Sequence, residues 1–319
     1  MIGSCDPRQK AVWGVLLWAA VAAFPAAIVA AEAAEKQGQA IRVVVWDERS
    51  GQPAYKNFIG NAIADALKSR PGLKLKSVGL DEPEQGLAAE ILDNCDVLIY
   101  WSHRRNNAIK AEKGQDIVRR IKAGQLSMIA LHSAHWATPF VQAMYERTRI
   151  DALAKLSPEE RKKAKLEEIF PKGYRAPKKD SPLTPSIVYD RDGSGGVKIT
   201  IKHANCCFPL YRVDGRPGHF KTLLPEHPIA KGIPPKFDVA RTEVYGEPFH
   251  VPKPDAVVFE ERWDLGGWFR NGMLWKIGGG WVCYIRPGHE TYPVYKDPNV
   301  LKMIENTVRW MASKPKSAQ

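Results

Sequence analysis

Short apolar segments alternate with amphipathic segments over the first half of the sequence, and this alternation restricts the fold more than any other feature. Runs rich in β-branched and aromatic residues predict strands at 41–46, 73–78, 96–101 and 127–132. Apolar residues recur at helical spacing over 57–67, 83–92 and 109–122. Mostly apolar strands that alternate with helices are typical of a parallel sheet covered by helices on both faces. The sequence therefore predicts an α/β protein.

The C-terminal part of the chain is predicted to be rich in β structure and to close with a helix. Apolar runs at 257–263, 273–277 and 281–285 predict strands. The glycine triplet 278–280 between the last two runs is typical of a hairpin turn. Residues 297–311 have helical periodicity. We therefore expect a C-terminal β-hairpin added to the α/β sheet, within one domain over residues 35–313.

An insert at about 146–196 differs in composition from the rest of that domain. It is rich in Lys, Glu, Arg and Pro, and we expect it to lie on the surface with little apolar area to bury. Ser157-Pro158-Glu159-Glu160 is a capping box with proline at the first helical position, which predicts a short helix from Ser157. Another strand is predicted at 197–202. Deleting the insert is expected to cost little stability, and residues 314–319 are expected to be disordered.

The first 34 residues have the pattern of a secretory signal peptide. Arg8 and Lys10 precede an apolar run at 11–31, and small residues follow it. An uncleaved anchor is the alternative, because this run is long enough to cross a hydrocarbon core of about 30 Å. We expect cleavage near residues 31–34. The folded protein would then be periplasmic or secreted, with no stable membrane insertion after cleavage.

The net charge of +12 raises the question of a nucleic-acid partner. The densest basic run, 161–165, is followed at once by Glu167 and Glu168, which favours a solvated helix over a surface that tracks phosphates. We therefore expect a small-molecule partner and no nucleic acid. The sequence contains no GxGxxG fingerprint and no CxxCH haem site, so no redox cofactor is expected.

The cysteines that follow the apolar N-terminal run fall into two kinds. Cys95 and Cys283 lie beside or inside predicted strands, where cysteine packs as a small hydrophobic residue. Cys206 and Cys207 are adjacent in a loop that contains proline and aromatic residues. Adjacent cysteines rarely form a disulfide without strain. This pair therefore indicates one ligand or reactive thiol beside one packed residue.

Four of the eight histidines lie at the ends of predicted strands. His103 and His132 follow the third and fourth strands, His289 follows the last strand, and His203 follows the strand at 197–202. An open α/β sheet binds its ligands at the carboxyl ends of its strands, so we expect His103 and His132 at one edge. Imidazole and thiolate are usual zinc ligands. A metal or acid/base site and a set of structural histidines both remain open.

Four strings of residues resemble the ThuA-like, or trehalose utilisation, family. They are Leu131-His132-Ser133-Ala134-His135, His227-Pro228-Ile229-Ala230-Lys231-Gly232-Ile233, Glu243-Val244-Tyr245-Gly246-Glu247-Pro248-Phe249 and Arg286-Pro287-Gly288-His289-Glu290-Thr291-Tyr292-Pro293. The match runs in order from about residue 41 to 311. The resemblance implies a flavodoxin-like sheet of the class I glutamine amidotransferase-like superfamily, with added β structure. It also implies a role in the catabolism of trehalose and related disaccharides through keto-sugar derivatives.

The sequence departs from the pattern of that superfamily at three places. A glutamine amidotransferase has a nucleophilic cysteine at a strand-to-helix turn, where this chain has His132-Ser133. Ser133 is a poor substitute, because no glycine flanks it to permit the tight turn of hydrolases. We therefore expect no glutaminase activity. Gly60 stands where family members usually have a histidine, and the long insert suggests a lid or partner surface peculiar to this subgroup.

Two classes of function remain open. In the first, the protein is an enzyme that acts on a sugar or keto-sugar, where proton transfer beside a carbonyl needs a base and benefits from a zinc ion. The predicted catalytic residues are His103, His132, His135, Glu247 and His289. The resemblance implies zinc ligands at His132, Cys207 and His289. In the second, the protein is a non-catalytic carbohydrate-binding partner of a secreted oxidoreductase. Trp101, Trp136 and Tyr245 either stack on sugar rings or pack in the core.

Overall fold

The computed structural model of the protein describes residues 1, 40–193 and 195–314. The predicted signal peptide beyond Met1 and the predicted tail beyond Lys314 lie outside the described residues. Among those that are described, none belongs to a helix long and apolar enough to cross a membrane.

The bounds of the regular elements are as follows. In chain order the strands are β1 (Ile41–Asp47), β2 (Leu73–Gly79), β3 (Val97–Trp101), β4 (Ser127–Leu131), β5 (Ala164–Ile169), β6 (Ser186–Arg191), β7 (Val197–Lys202), β8 (Leu210–Arg212), β9 (Gly218–Thr222), β10 (Lys236–Val239), β11 (Val244–Gly246), β12 (Ala256–Arg262), β13 (Trp268–Ile277) and β14 (Gly280–Ile285). The α-helices are α1 (Ile59–Leu67), α2 (Ala89–Asp93), α3 (Ala111–Lys122), α4 (Thr138–Ala154), α5 (Pro158–Lys163) and α6 (Pro298–Ala312).

A nine-stranded sheet in the order β10-β9-β12-β13-β14-β4-β3-β1-β2 runs through the described part of the chain. The strands β14, β4, β3, β1 and β2 are parallel to one another, as the alternation of strands and helices predicts. The predicted hairpin is the antiparallel pair β13–β14. Beyond it, β12, β9 and β10 extend the sheet further with antiparallel pairs. The α/β fold class is confirmed.

Each face of this sheet carries its own apolar core. Val43 and Val45 of β1 pack on the face covered by α1 and α6, whereas Val44 and Trp46 pack on the face covered by α3 and α4. The Trp46 ring also stacks on Tyr100 of β3, with ring centroids 4.2 Å apart. Full burial of one large apolar side chain contributes about 1.5–3 kcal/mol, so these alternating residues fix the register of the central strands.

Two predicted elements have different bounds in the structure, because residues within them adopt positive φ angles. The predicted helix at 83–92 is interrupted, since Glu84 and Gln85 have φ of 51° and 60°. A 3₁₀ turn at Pro83–Gly86 is therefore followed by the separate helix α2. The predicted fourth strand stops at Leu131, because His132 has φ of 54°. That left-handed residue turns the chain sharply at the edge of the sheet.

The insert contains the predicted helix and also a small core that was not expected. Ser157 accepts from the Glu160 N–H at 3.1 Å, and the Glu160 carboxylate accepts from the Ser157 N–H at 2.9 Å. This capping box begins α5, as predicted. However, β5, β7 and β6 form a separate sheet, and Leu156 packs with Ile199 and Ile201 of β7. Among the described residues of 146–196, the buried apolar side chains of this core are Ala152 and Leu156, and the others, Val197, Ile199 and Ile201, belong to β7.

Candidate active site

The carboxyl ends of four parallel strands meet at one edge of the central sheet. Glu48 follows β1, His103 lies two residues after β3, His132 follows β4, and His289 lies four residues after β14. The parallel pairing of β3 with β4 aligns their last residues, so His103 and His132 share this edge. The prediction that placed these two histidines together is confirmed.

Three of the predicted histidines form one cluster. The ring centroids of His103 and His132 are 5.1 Å apart, those of His103 and His289 are 4.8 Å apart, and those of His132 and His289 are 5.4 Å apart. His132 is fully buried, and His289 is 7% exposed. Imidazoles this close lower one another's affinity for protons, so the three rings do not all carry a positive charge at the same time.

Glu243, directly before β11, is the carboxylate that faces this cluster. Its Oε2 lies 3.5 Å from His132 Nε2, and its Oε1 lies 3.7 Å from His289 Nε2. Both oxygens are buried and lack a hydrogen-bond partner among the described residues. Burial raises the pKa of Glu243, and the opposing effects of Tyr211 and of the positive charges nearby do not offset it. Glu243 is therefore a carboxyl group suited to carry a proton.

His103 and Glu290 form the closest ion pair of the cluster, with His103 Nδ1 2.6 Å from Glu290 Oε2. Burial acts to lower the pKa of His103, but Glu290, Glu243 and Glu48 outweigh it, so the pKa is raised. The pKa of Glu290 is lowered, since the bond from His103 outweighs the effect of its own burial. Both shifts favour the charged pair, which supplies one positive imidazole at the edge of the sheet.

His132 differs from His103 because its environment favours the neutral ring. Burial, followed by the fields of His103 and His289, lowers the pKa of His132 well below its ordinary value. The ring lies roughly parallel to Trp101 and Tyr245, at centroid distances of 6.5 Å and 5.6 Å. His132 Nδ1 is 3.3 Å from the Tyr245 hydroxyl, and Nε2 makes no hydrogen bond to a described residue. A neutral imidazole therefore faces the Glu243 carboxyl group.

His289 has a tautomer set by the main chain. The Thr291 N–H donates to His289 Nδ1 at 3.1 Å, so the neutral ring carries its proton on Nε2, towards Glu243. Burial also lowers the pKa of His289. The ring is thus held neutral, with its N–H directed at the carboxyl group.

A second carboxylate holds the loop that carries His103. Glu48 is fully buried and accepts from the N–H groups of His103, Arg104 and Arg105 at 2.9, 2.9 and 2.8 Å. The Ser102 hydroxyl donates to the same carboxylate at 3.2 Å. Successive N–H groups that converge on one anion fix the backbone of the loop. The position of the His103 ring therefore depends on Glu48.

The other predicted site residues lie in different surroundings. The Glu247 carboxylate accepts from Arg270 Nε and Nη2 at 2.7 and 3.0 Å, so a guanidinium already neutralises it. His135 donates through Nδ1 to the Cys206 carbonyl oxygen, and burial lowers its pKa to about 3. Cys207 donates to the Asn205 carbonyl oxygen at 3.1 Å, and burial raises its pKa to about 12. The structure therefore does not bring Glu247 and Cys207 to the imidazoles.

Gly60, at the position where family members usually have a histidine, leaves no room for a side chain. The Gly60 N–H donates to Asp47 Oδ2, and a Cβ at this position would lie 2.9 Å from that oxygen. Position 60 thus contributes a main-chain donor that holds the end of β1.

The cluster has a donor set that suits a metal ion. Among the described residues, the group of His, Cys, Asp and Glu ligand atoms close enough to hold one comprises His103, His289 and Glu290, with atoms within 4.8 Å of one another. Glu290 Oε1, His132 Nε2 and both Glu243 oxygens are buried without hydrogen bonds to described residues, although each lies within 4 Å of an oppositely charged or titratable group. Unpartnered buried acceptors cost about 1–3 kcal/mol each, and a cation relieves that cost. Imidazole and carboxylate donors fit zinc.

Sequence reasoning missed the three glutamates of this site. Glu243 and Glu290 lie in the two strings that carry the family resemblance, and Glu48 follows the first strand directly. An acidic residue beside a strand-end histidine is the signal that was present. The prediction assigned the carboxylate of the site to Glu247 instead, four residues after Glu243.

The parallel strands, the helices on both faces and the polar edge define an α/β protein with its candidate site at the carboxyl ends of the strands. A family model described as trehalose utilisation (ThuA) matches residues 42–311, and the chain belongs to this family. A ThuA-like protein of Parabacteroides merdae aligns with a TM-score of 0.56 and 14% identity, over 88% of this chain and 93% of that one. One of Bacteroides uniformis aligns with a TM-score of 0.51 and 14% identity, over 88% and 94%. At such identity the likeness shows the fold alone. No curated protein matches the chain.

Proposed function

We propose that the protein is a periplasmic or secreted enzyme that acts on a keto-sugar derived from trehalose or a related disaccharide. The proposed step removes a proton from the carbon next to the carbonyl group and so converts the ketone into its enol. The observation that carries the proposal is the cluster of His103, His132 and His289 around the buried Glu243 carboxyl group. Neutral and charged groups gathered at one strand edge meet the requirement of acid/base catalysis.

His132 is the proposed base. Its ring is kept neutral by burial, and its Nε2 makes no hydrogen bond to a described residue. When the imidazole takes the proton, the electron pair of the broken C–H bond forms the C=C bond of the enol. Glu243 Oε2, 3.5 Å from Nε2, then balances the new positive charge or receives the proton.

His103 is the proposed acid at the carbonyl oxygen. Its pair with Glu290 favours the imidazolium, which donates its proton as the oxygen becomes negative. The neutral base and the charged acid lie 5.1 Å apart between ring centroids. This spacing suits a carbonyl group and the carbon beside it.

A bound zinc ion would supply the positive charge that the His103 imidazolium supplies in the metal-free protein. His103, His289 and Glu290 would hold the ion. When bound, zinc would supply a Lewis acid that polarises the carbonyl oxygen. The base remains His132 in either form, so this residue is the discriminating one to test.

Hydrogen exchange in deuterated water tests the reaction. The protein is incubated with 3-keto-trehalose, with zinc or with a chelator, and deuterium at the carbon next to the carbonyl is measured by mass spectrometry. We expect incorporation by the wild type and a loss of about 100-fold or more in His132→Gln, the usual size of a general-base contribution. His219→Gln is the matched control, because that imidazole pairs with Asp238 on the outer strands β9 and β10.

Failure has a defined meaning in this experiment. If the wild type binds the keto-sugar but catalyses no exchange with or without zinc, the acid/base proposal is refuted. The non-catalytic carbohydrate-binding partner of a secreted oxidoreductase would then be the better description.

Export and the loss of glutaminase activity are separate parts of the proposal. The N-terminal pattern supports removal of a signal peptide, and the mass of the mature protein from a secreting host tests it, with cleavage expected near residues 31–34. The turn after β4 carries His132 and Ser133 in place of a cysteine, which supports the absence of glutamine hydrolysis. Release of ammonia from glutamine would contradict this.

A further inference from the structure

Two adjoining clefts lie between the insert and the outer sides of α3 and α4. One has a volume of about 420 Å³ and the other about 210 Å³, and both are lined by Gln142 and Tyr145 of α4. The larger one is bounded by Phe170, and the smaller one by Trp136 and Tyr174. Trp136 ends the turn that begins at His132, at the carboxyl edge of the sheet, and lies two residues before α4, so the clefts run from that edge along the helix.

Aromatic faces are exposed along these clefts. Phe170 stacks one face on His203, with centroids 4.7 Å apart and planes 11° apart, yet remains 47% exposed. Tyr174 lies 4.4 Å from Trp136 between ring centroids and is 44% exposed. An exposed aromatic face held by a second ring is a flat apolar platform, which matches the C–H face of a pyranose ring.

The polar groups of the clefts suit a neutral ligand. Lys122 pairs with Glu146 at 2.6 Å, and Arg149 pairs with Glu168 at 2.7 Å, so these cations are already compensated. The Gln142 Oε1 atom is buried and has no partner among the described residues, although its Nε2 donates to the Ala111 carbonyl oxygen at 3.2 Å. The Nε2 group, whose bond to Ala111 is exposed, has a second hydrogen that can donate to a ligand hydroxyl.

We propose that these two clefts form a binding site for a neutral oligosaccharide, with Phe170 and Tyr174 as stacking platforms and the Gln142 amide as a donor to a ligand hydroxyl. Their volumes fall in the range of small-ligand sites when the clefts are taken together. The inference deepens the proposed function, since it would make the substrate the end of a longer chain of sugar rings. The contacts themselves do not depend on any reaction at the histidines.

Calorimetric titration with unoxidised sugars tests the site without the proposed chemistry. The wild-type protein is titrated with glucose, maltose, maltotetraose and cellotetraose, none of which carries a keto group for the proposed reaction. We expect at least one tetrasaccharide to bind about tenfold more tightly than glucose. Phe170→Ala, Tyr174→Ala and Gln142→Ala should each weaken that binding about tenfold.

Matched controls separate binding from folding. Leu183→Ala alters a side chain of the insert that is 62% exposed and lies outside both clefts, so it should leave the affinity unchanged. Phe170→Tyr should retain the affinity that Phe170→Ala loses. The proposal is overturned if no oligosaccharide binds, if the cleft variants bind as the parent does, or if an anionic oligogalacturonate binds more tightly than the neutral sugars. Sugar binding without keto-sugar exchange would leave this site standing and refute only the reaction.

Discussion

Two glutamates four residues apart show how surroundings, more than residue type, decide a role. Glu243 faces imidazoles and has no hydrogen-bond partner among the described residues, whereas Glu247 is held by the guanidinium of Arg270. Both were within the string that carries the family resemblance. Only the course of the chain before β11 brings Glu243 to the cluster. Arg286 fixes that course, because its Nη1 donates to the Glu243 carbonyl oxygen at 2.6 Å.

Glu243→Gln is expected to stabilise the metal-free protein at neutral pH. The pKa of Glu243 is raised by burial, so the folded state binds this proton more tightly than the unfolded state does. Its contribution to stability therefore falls as pH rises above the unfolded value of about 4.3 towards the folded pKa. Glu243→Gln has no carboxyl group to ionise, so its free energy of unfolding at pH 7 should exceed that of the wild type by about 1–3 kcal/mol. Urea unfolding in chelator at pH 4 and pH 7 measures the difference.

Glu247→Gln is the matched comparison and should act in the opposite direction. It leaves the Arg270 guanidinium with a weaker partner, so the free energy of unfolding should fall by about 1–3 kcal/mol. If the two variants change stability with the same sign at pH 7, the assignment of a buried carboxyl group without hydrogen bonds to Glu243 is wrong.

At the scale of elements, the site residues at the ends of the parallel strands were predictable, whereas those in the segments outside the strand–helix alternation were not. His103, His132 and His289 follow strands whose apolar runs are clear in the sequence, and parallel pairing brings such ends together. Glu243 lies outside this alternation, so its approach depends on tertiary contacts that local patterns do not contain. Cys207 was assigned to the site from the resemblance, and its own loop directs it to the main chain of Asn205.

Glu48→Gln tests the loop that carries His103. A neutral amide offers one acceptor oxygen to the three N–H groups that the carboxylate now receives, so stability should fall by about 2 kcal/mol. Deuterium exchange next to the carbonyl should also slow, and the conservative Glu48→Asp should restore part of it. Asp81→Asn is the control, because its pair with Arg105 is exposed and is worth less than about 1 kcal/mol. An equal effect of both changes would contradict a special role for Glu48.

At the scale of the whole molecule, the chain combines a nine-stranded sheet with a separate small sheet inside the described range. The composition of the insert gave little sign of this second core, because most of the buried apolar residues of the core belong to β7, which follows the insert and in which they alternate with charged or polar residues. Ile199 and Ile201 are fully buried, while Lys198 and Lys202 are exposed. The cover for them comes partly from the C-terminal end of α4, which extends further into the insert than its charged residues indicate.

Leu156→Ala should therefore loosen the small sheet and leave the central one intact. Leu156 is 4% exposed and packs in the small core, so the loss of its side chain should cost about 2–5 kcal/mol locally. Hydrogen exchange followed by mass spectrometry should show faster exchange in β5, β6 and β7, with β3 and β4 unchanged, because the two cores are separate. Leu166→Ala, on β5 with 42% exposure, should change exchange little. Faster exchange in β3 and β4 at the same rate as in β7 would mean that the two sheets unfold as one unit.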